Sequence, residues 1–537
     1  MGASGVSYIQ LLLLGLMVVV AALALLAKRL AIPYPIVLVI GGLILSLIPG
    51  LPHVALNPNL VFFVVLPPLV FSAAFNISWR EFRNNMVSIL MLAFGLVGFT
   101  VYAVAAFSRL TLPGFDWRLG LVLGAVIAPT DPLSATATAR RLGIPRKITD
   151  LLEAESLVND GSGLVAWKFT AALVVTGSTP SFLMGLGELV YLIVGAVAIG
   201  LIIGFVVHRI QKFISDAPIE ITLSLITPYV AYLCAEGAQC SGILATLACG
   251  LYLGRHSSGF FSLHARIESR AVWRTLDFIL NGVVFLLLGL QLPTILADIH
   301  RIGFGGLIWN AALFSAAVIL IRLIWVYPGA WISGLIRKRL HVGQRAPFSR
   351  REIFVVGWSG MRGVLGLAAA ISLPERLNNG APFPERNIII FLTFCAIFAT
   401  LVLQGLSLPA IIRRLGVGGV ESAHDEEQGA RREMLQAALE ELGRIREDND
   451  GNFTEAQEAM QRYYQRRLAF LQNNSATRDH NAHQTGSEYD TVGQQLRSVE
   501  RSVLLKLRDE NKIHDEVLRR LERELDLLDA RFAEAEY

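Results

Sequence analysis

Charge is what this sequence has least of. Only 17% of its 537 residues are Asp, Glu, Lys or Arg, against 53% hydrophobic, and the mean hydropathy is +0.52. A water-soluble domain carries about a quarter charged residues, so that class is excluded for the bulk of the chain. Cysteine is scarce too. Cys234, Cys240, Cys249 and Cys395 all lie in apolar segments, without Cys-x-x-Cys or Cys/His spacing, and read as buried free thiols rather than metal ligands. No Gly-x4-Gly-Lys-Ser/Thr loop is present to cradle phosphate, which argues against an ATP-driven machine. No Thr-Val-Gly-Tyr-Gly stretch or four-fold repeat argues for a channel filter.

What the chain has instead is a succession of apolar stretches, each long enough to cross a bilayer, from position 7 to about 415. The fold class expected is an all-α membrane protein. Thirteen spans are predicted, at 7–27, 33–50, 57–76, 86–107, 118–139, 151–176, 183–207, 220–237, 241–254, 275–294, 307–335, 352–374 and 387–414. The first has no basic residue before it and no small-residue cleavage site, so it reads as a transmembrane helix rather than a removed signal.

The net charge of +4 hides a division. Residues 1–415 carry 30 Lys and Arg against 17 Asp and Glu, whereas residues 416–537 carry 17 against 26. The basic balance falls in loops and calls for no nucleic acid. Counted over the loops that follow odd-numbered spans it reaches 20, with few basic residues in the loops opposite. The positive-inside rule then puts the N-terminus outside and the acidic tail in the cytoplasm.

That tail divides further. Residues 421–470 are rich in Glu, Arg, Ala and Gln and read as helical, and 472–494 read as a polar linker. Leu518, Leu521, Leu525, Leu528 and Phe532 then recur at the spacing of a helix seam, suited to self-pairing or to packing on its own domain. "DNDGN" at 448–452 resembles a calcium loop only superficially: Arg446 and Gln457 would fall at its first and last ligand positions, and it is rejected.

Two spans carry breaks. In "GLVLGAVIAPTDPLSATATA", Pro129 and Pro132 flank Thr130 and Asp131, and proline removes donors and clashes with the preceding turn. In "REIFVVGWSGMRGVLGLAAAI", Gly357, Gly360 and Gly363 surround Arg362. A break at lipid depth is tolerated only where it faces protein or a water-filled cavity. The spans are the middle members of two triplets, four to six and eleven to thirteen, that start on opposite sides of the membrane. That arrangement is an inverted repeat whose crossed, broken helices hold an ion site near the midplane.

Between them lies "ESLVNDGSG", residues 155–163. Ser156, Asn159 and Asp160 share one helical face, with Glu155 about a quarter-turn round. Asp131 and Thr130 of the first break are the natural partners across the gap. The set offers carboxylate, hydroxyl, amide and free carbonyl oxygens and no soft ligand, which suits a hard monovalent cation. Burial favours a protonated carboxylate and a bound cation favours an ionised one. Proton and cation therefore compete at Asp160, which is exchange without ATP or cofactor. Three positive side chains read as buried: Lys168, which can extend outward, Arg322 and Arg362. Glu155 is assigned to Arg362 as a structural ion pair, leaving Asp160 without a fixed partner. His208, His256, His264, His300 and His341 fall at span ends or in loops and read as solvated.

"LPPLVF" (66–71), "APTDP" (128–132), "ESLVNDGSG" (155–163), "LNGVVFLLLG" (280–289) and "GMRGVLGLA" (360–368) together resemble the cation/proton antiporter-1 family, over about residues 10–415. That family includes bacterial sodium/proton antiporters and the animal sodium/proton exchangers. The stretch 511–532 is similar to the tail of bacterial members. The resemblance implies a homodimer in the plasma membrane, with a mobile core (about 86–176 and 307–414) that carries the ion across. It makes Asp160 the proton and cation carboxylate, with Thr130, Asp131, Ser156 and Asn159 around a transported Na+. It matches Glu155 and Arg362 to a helix-bridging pair. An Asn-Asp pair at 159–160 goes with electroneutral exchange in relatives. Many relatives carry an acid where this chain has Ser72, so an accessory carboxylate is expected to be absent and the preference among Na+, Li+ and K+ stays open. Two alternatives stay open beside Na+/H+ exchange: a K+/H+ exchanger of the same fold, or a membrane ion or pH sensor that signals through the tail.

Overall fold

A chain this apolar must satisfy its own backbone polar groups wherever it meets lipid, and it does so with helices. The computed structural model describes residues 4–49, 56–177, 182–214, 216–257, 262–297, 304–340, 348–378, 380–417, 421–448, 455–473 and 486–533. Among them helix is the only regular structure, apart from one isolated bridge between Arg376 and Pro382. The chain divides into two compact units, residues 1–77 with 81–418, and residues 78–80 with 419–537.

The chain opens with α1 (Ser4–Leu30), α2 (Tyr34–Ser46), α3 (Pro58–Asn76) and a short α4 (Trp79–Asn84). Then come α5 (Met86–Thr111), the pair α6 (Trp117–Ile127) and α7 (Leu133–Arg141), and the long α8 (Arg146–Thr176). α9 (Phe182–Gln211), α10 (Ala217–Gly237), α11 (Gly242–His256), α12 (Leu263–Leu290) and α13 (Leu292–Ala297) follow. α14 (Phe304–Leu340), a second pair α15 (Arg350–Trp358) and α16 (Val364–Ile371), and α17 (Arg386–Leu415) complete the apolar part. Among the described residues, seven helical stretches are long and apolar enough to cross a membrane. The two spans predicted to be interrupted are the two pairs, α6–α7 and α15–α16.

Side chains mark the helix starts. Asp116 Oδ1 accepts from the Leu119 amide at 2.8 Å ahead of α6, and Ser241 and Ser262 cap α11 and α12 in the same way. Ser349 and Glu352 cap α15 reciprocally. Close backbone contact brings the broken pair α6–α7 into the interior: a Cβ on Gly124 would lie 2.7 Å from Val101 backbone atoms, so α5 and α6 approach as only glycine permits.

The second unit is built from α18 (Glu421–Asp448), α19 (Glu455–Asn473), α20 (Gly486–Asp509) and α21 (Asp515–Ala533). Leu518, Leu521 and Leu525 of the predicted seam are buried within this unit, against Leu504, Leu507, Ala430 and Met434. The Phe532 side chain lies outside the described residues. Within the stretch 472–494 read as a linker, α19 runs on to Asn473 and α20 starts at Gly486. No proline in that stretch halts either helix. Residues 474–485, like 449–454 with most of the rejected calcium loop, lie outside the description.

Candidate functional site

Breaking a helix frees amides and carbonyls that must be satisfied if buried, and following them builds the site. In the break between α6 and α7, the Thr130 amide donates to Asn159 Oδ1 (3.3 Å), and the Thr130 carbonyl accepts from the Ser156 hydroxyl. Asn159 Nδ2 donates to Thr130 Oγ1 at 2.6 Å. One threonine is thus held at three points by one face of α8, with Thr130, Ser156 and Asn159 all buried. The Asp131 amide donates to the Met361 carbonyl at 2.8 Å, so the two broken segments bond backbone to backbone where they cross. Asp131 Oδ1 accepts from the Leu133 amide (3.1 Å) at the start of α7, and its buried Oδ2 has no hydrogen-bond partner among the described residues.

The carbonyls left at the end of α6 belong to Ala128 and Pro129. Arg362, from the second break, donates to both through Nη1, and its own amide donates to Thr400 Oγ1 at 3.1 Å. A guanidinium at a helix C-terminus and a carboxylate at a helix N-terminus each match the local helix dipole. Glycine makes room for the crossing. A Cβ on Gly363 would sit 2.8 Å from Asp131 Cβ, and one on Gly163 would sit 2.6 Å from the Pro129 ring.

The ion pair differs from the sequence expectation. Glu155 does not meet Arg362. Its carboxylate accepts two hydrogen bonds from Arg322 of α14, Nη1 to Oε1 at 2.6 Å and Nη2 to Oε2 at 2.9 Å, with both side chains 1% exposed. Arg322 also donates to the carbonyls of Val356 and Gly357 at the end of α15. Gly360 lies against the Arg322 side chain, where a Cβ would fall 1.9 Å from Nε. The physical reason is division of labour between two buried arginines: Arg362 is drawn to the carbonyls of one break, and Arg322 spans from the other to Glu155.

Asp160 is half-buried on α8. Among the described residues its carboxylate makes no ion pair and no hydrogen bond, and Asp131 is close enough to feel its charge. Lys168, on the same helix, instead pairs with Glu236 at 2.9 Å on an exposed face. The arrangement is therefore two carboxylates at a crossed pair of broken helices; among the described residues Lys168 and Arg322 are paired with other acids, and Arg362 meets carbonyls through Nη1 while its Nε and Nη2 have no hydrogen-bond partner.

Sequence reasoning missed one acid. Ser72 is not without a carboxylate: its hydroxyl donates to Asp277 Oδ2 of α12 at 2.6 Å. Position 72 itself carries no acid, but another helix sets a carboxylate beside it. Only the tertiary packing of α12 beside α3 reveals it. Of the histidines, His208 and His256 lie with ring centroids 5.2 Å apart and tilted planes near the ends of α9 and α11, while His300 and His341 lie outside the described residues.

A family model described as "Sodium/hydrogen exchanger, transmembrane" matches residues 15–414, which include both breaks and all of these side chains. The chain belongs to that family. It is therefore a multi-pass membrane transporter rather than an enzyme. A chain of Mycobacterium bovis named as an uncharacterized Na(+)/H(+) exchanger is 33% identical, over 96% of each chain. A Bacillus pumilus protein named as a sodium, potassium, lithium and rubidium/H(+) antiporter is 32% identical, over 78% of this chain and 63% of its own. The solved structure of the sodium proton antiporter MjNhaP1 from Methanocaldococcus jannaschii shares the fold, with a TM-score of 0.56 at 20% identity, over 76% of this chain and 98% of its own.

Proposed function

We propose that this exchanger-family chain moves Na+ against H+ by letting the two compete at Asp160. The observation that carries the reading is the absence of any fixed partner for that carboxylate. A buried carboxylate with a permanent guanidinium stays ionised and does no transport. One that faces only neutral oxygens and a second carboxylate must recruit a proton or a cation. Thr130, Asp131, Ser156 and Asn159 supply oxygen ligands for Na+ or hold those ligands in place, and such hard donors suit an alkali cation. Glu155 and Arg322 hold α8 to the second broken helix as scaffold.

With one exchangeable carboxylate occupied by one proton or one Na+, exchange is one for one and electroneutral. The core helices, about 86–176 and 307–414, carry the site from one side of a plasma membrane to the other. The tail lies in the cytoplasm and the N-terminus outside, and two copies of the chain associate. The name of the Bacillus pumilus relative favours a wider substrate range, with Li+ and K+ accepted beside Na+. Purified protein in vesicles with an imposed pH gradient tests the reading. Na+ should dissipate the gradient, as reported by a pH dye, and Asp160→Asn should abolish the response; full activity in that variant would remove Asp160 from the mechanism. Repeating the assay with Li+ and K+ resolves the cation range.

A further inference from the structure

Asp277 lies within Ala265–Leu296, a stretch long and apolar enough to cross a membrane. It sits near the start of the predicted span 275–294, and a partly buried carboxylate there is costly unless it is paired or used. Glu155 shows what a paired one looks like in this protein; Asp277 is different. Among the described residues it has no cationic partner. Oδ2 accepts the Ser72 hydroxyl at 2.6 Å, and Oδ1 is shielded from solvent with no hydrogen-bond partner. Two nearby amides do not serve it. Asn281 Nδ2 donates to the Asp277 backbone carbonyl at 2.9 Å, and Asn76 Nδ2 to the Ser72 carbonyl at 2.8 Å.

Tyr34 links this place to the candidate site. Its ring meets that of Phe278, with centroids 5.8 Å apart, and it lies within electrostatic range of both Asp277 and Asp131. Asp131 lies in turn within range of Asp160. Tyr34 is thus the group shared by Asp277 and Asp131, and Asp131 by Tyr34 and Asp160; among the described residues none of the three carboxylates is ion-paired. Ser72 sits near the C-terminal end of α3 and Tyr34 at the N-terminus of α2. In the orientation proposed above, both belong to the cytoplasmic half.

We propose that Asp277 and Ser72 form an outer cation site, through which Na+ approaches Asp131 and Asp160 and which sets apparent affinity and cation preference. A carboxylate bonded only to a neutral hydroxyl keeps its charge available to a mobile cation, and carboxylate with hydroxyl is a hard-oxygen pair. The proposal rests on the exchange reading and deepens it.

The test uses purified full-length protein in vesicles, with exchange rate measured against Na+ concentration at fixed pH. Asp277→Asn should raise the apparent KM for Na+ about five-fold or more, while the rate at saturating Na+ stays within about two-fold. Asp277→Glu should restore most of the affinity. So should Ser72→Asp in the Asp277→Asn background, which returns a carboxylate to the same place from the facing helix. The Na+/K+ and Na+/Li+ KM ratios should shift with the Asp277→Asn change. An unchanged KM with unchanged ratios would overturn the proposal. A fall in the saturated rate that neither Asp277→Glu nor Ser72→Asp repairs would also overturn it, since that marks a merely structural side chain. If Asp277→Asn does not yield folded protein, Ser72→Ala takes its place, and a wild-type KM there overturns it. Na+-driven proton flux by the wild type, and its loss in Asp160→Asn, test the exchange reading in the same vesicles independently of KM.

Discussion

The Glu155 carboxylate and the Arg322 guanidinium meet through a pair of parallel hydrogen bonds inside the protein, joining α8 to α14. Removing one partner of such a pair strands a buried charge, at a cost of about 3–5 kcal/mol. Glu155→Ala and Arg322→Ala should each lower stability by about that much, and the double variant by clearly less than the sum, because the second removal strands nothing. Glu155→Ala combined with Arg362→Ala should lie closer to additive. Thermal unfolding in detergent across the two double-mutant cycles measures this, and a larger coupling for the 155–362 cycle would reject the pairing.

Much of this region is legible in the sequence, for a physical reason. Pro129 and Pro132 together strip two donors from one turn, where the single prolines Pro228, Pro328 and Pro409 are carried within helices, and Ser156, Asn159 and Asp160 share a face by helical geometry alone. Both are local facts. The partner of Glu155 is not local. Arg322 and Arg362 are buried arginines on neighbouring segments, and the choice depends on which free carbonyls each guanidinium can also reach. Asp277 escaped notice for a similar reason: in "RTLDFILNG" it reads as the acidic edge of a span, and only the approach of α3 puts Ser72 against it. In the tail, the leucine seam was legible, but the surface it covers follows only from the way α18, α20 and α21 pack together.

Arg362 should behave as a brace for the first break rather than as a counter-ion for Glu155. Its Nη1 holds the Ala128 and Pro129 carbonyls, with its amide tied to Thr400. Arg362→Ala would leave those carbonyls buried and unpaired, at about 1–3 kcal/mol each, and would loosen the segment that carries Asp131. Exchange should drop at least about ten-fold, by analogy with other misplaced polar frameworks. Arg362→Lys should recover part of the rate, since an ammonium reaches a carbonyl but lacks the guanidinium's breadth. Vesicle assays of the two variants check the order, and equal activity in both would contradict the brace.

Asn159 should matter through Thr130 more than through direct contact with the ion. Its amide makes two bonds to that one residue, Nδ2 to Oγ1 at 2.6 Å and Oδ1 from the amide at 3.3 Å. Asn159→Ala removes both and leaves a buried N–H unsatisfied, which costs about 1–3 kcal/mol. The variant should unfold at lower temperature and exchange more slowly at saturating Na+. Thr130→Val, which keeps the shape and the backbone but removes the hydroxyl, should show a milder form of the same effect. A Thr130→Val variant more damaged than Asn159→Ala would shift the weight from positioning to direct ligation by the hydroxyl.

The competition proposed at Asp160 fixes the sign of the pH dependence. A proton on the carboxylate must leave before Na+ can bind, so lowering pH on the loading side raises the apparent KM for Na+. Where the carboxylate is mostly protonated, the KM should rise about ten-fold per pH unit, since each bound proton excludes one Na+. Where it is mostly ionised, the KM should level off. Saturating Na+ should restore the rate at low pH, which separates competition from acid inactivation. On the one-for-one exchange proposed above, an imposed membrane potential should leave the initial rate unchanged. Initial rates measured over a grid of Na+ concentration and pH, with and without a potassium diffusion potential, check both statements. A KM independent of pH would remove competition at a single carboxylate as the mechanism, and a rate that follows the potential would remove electroneutrality alone.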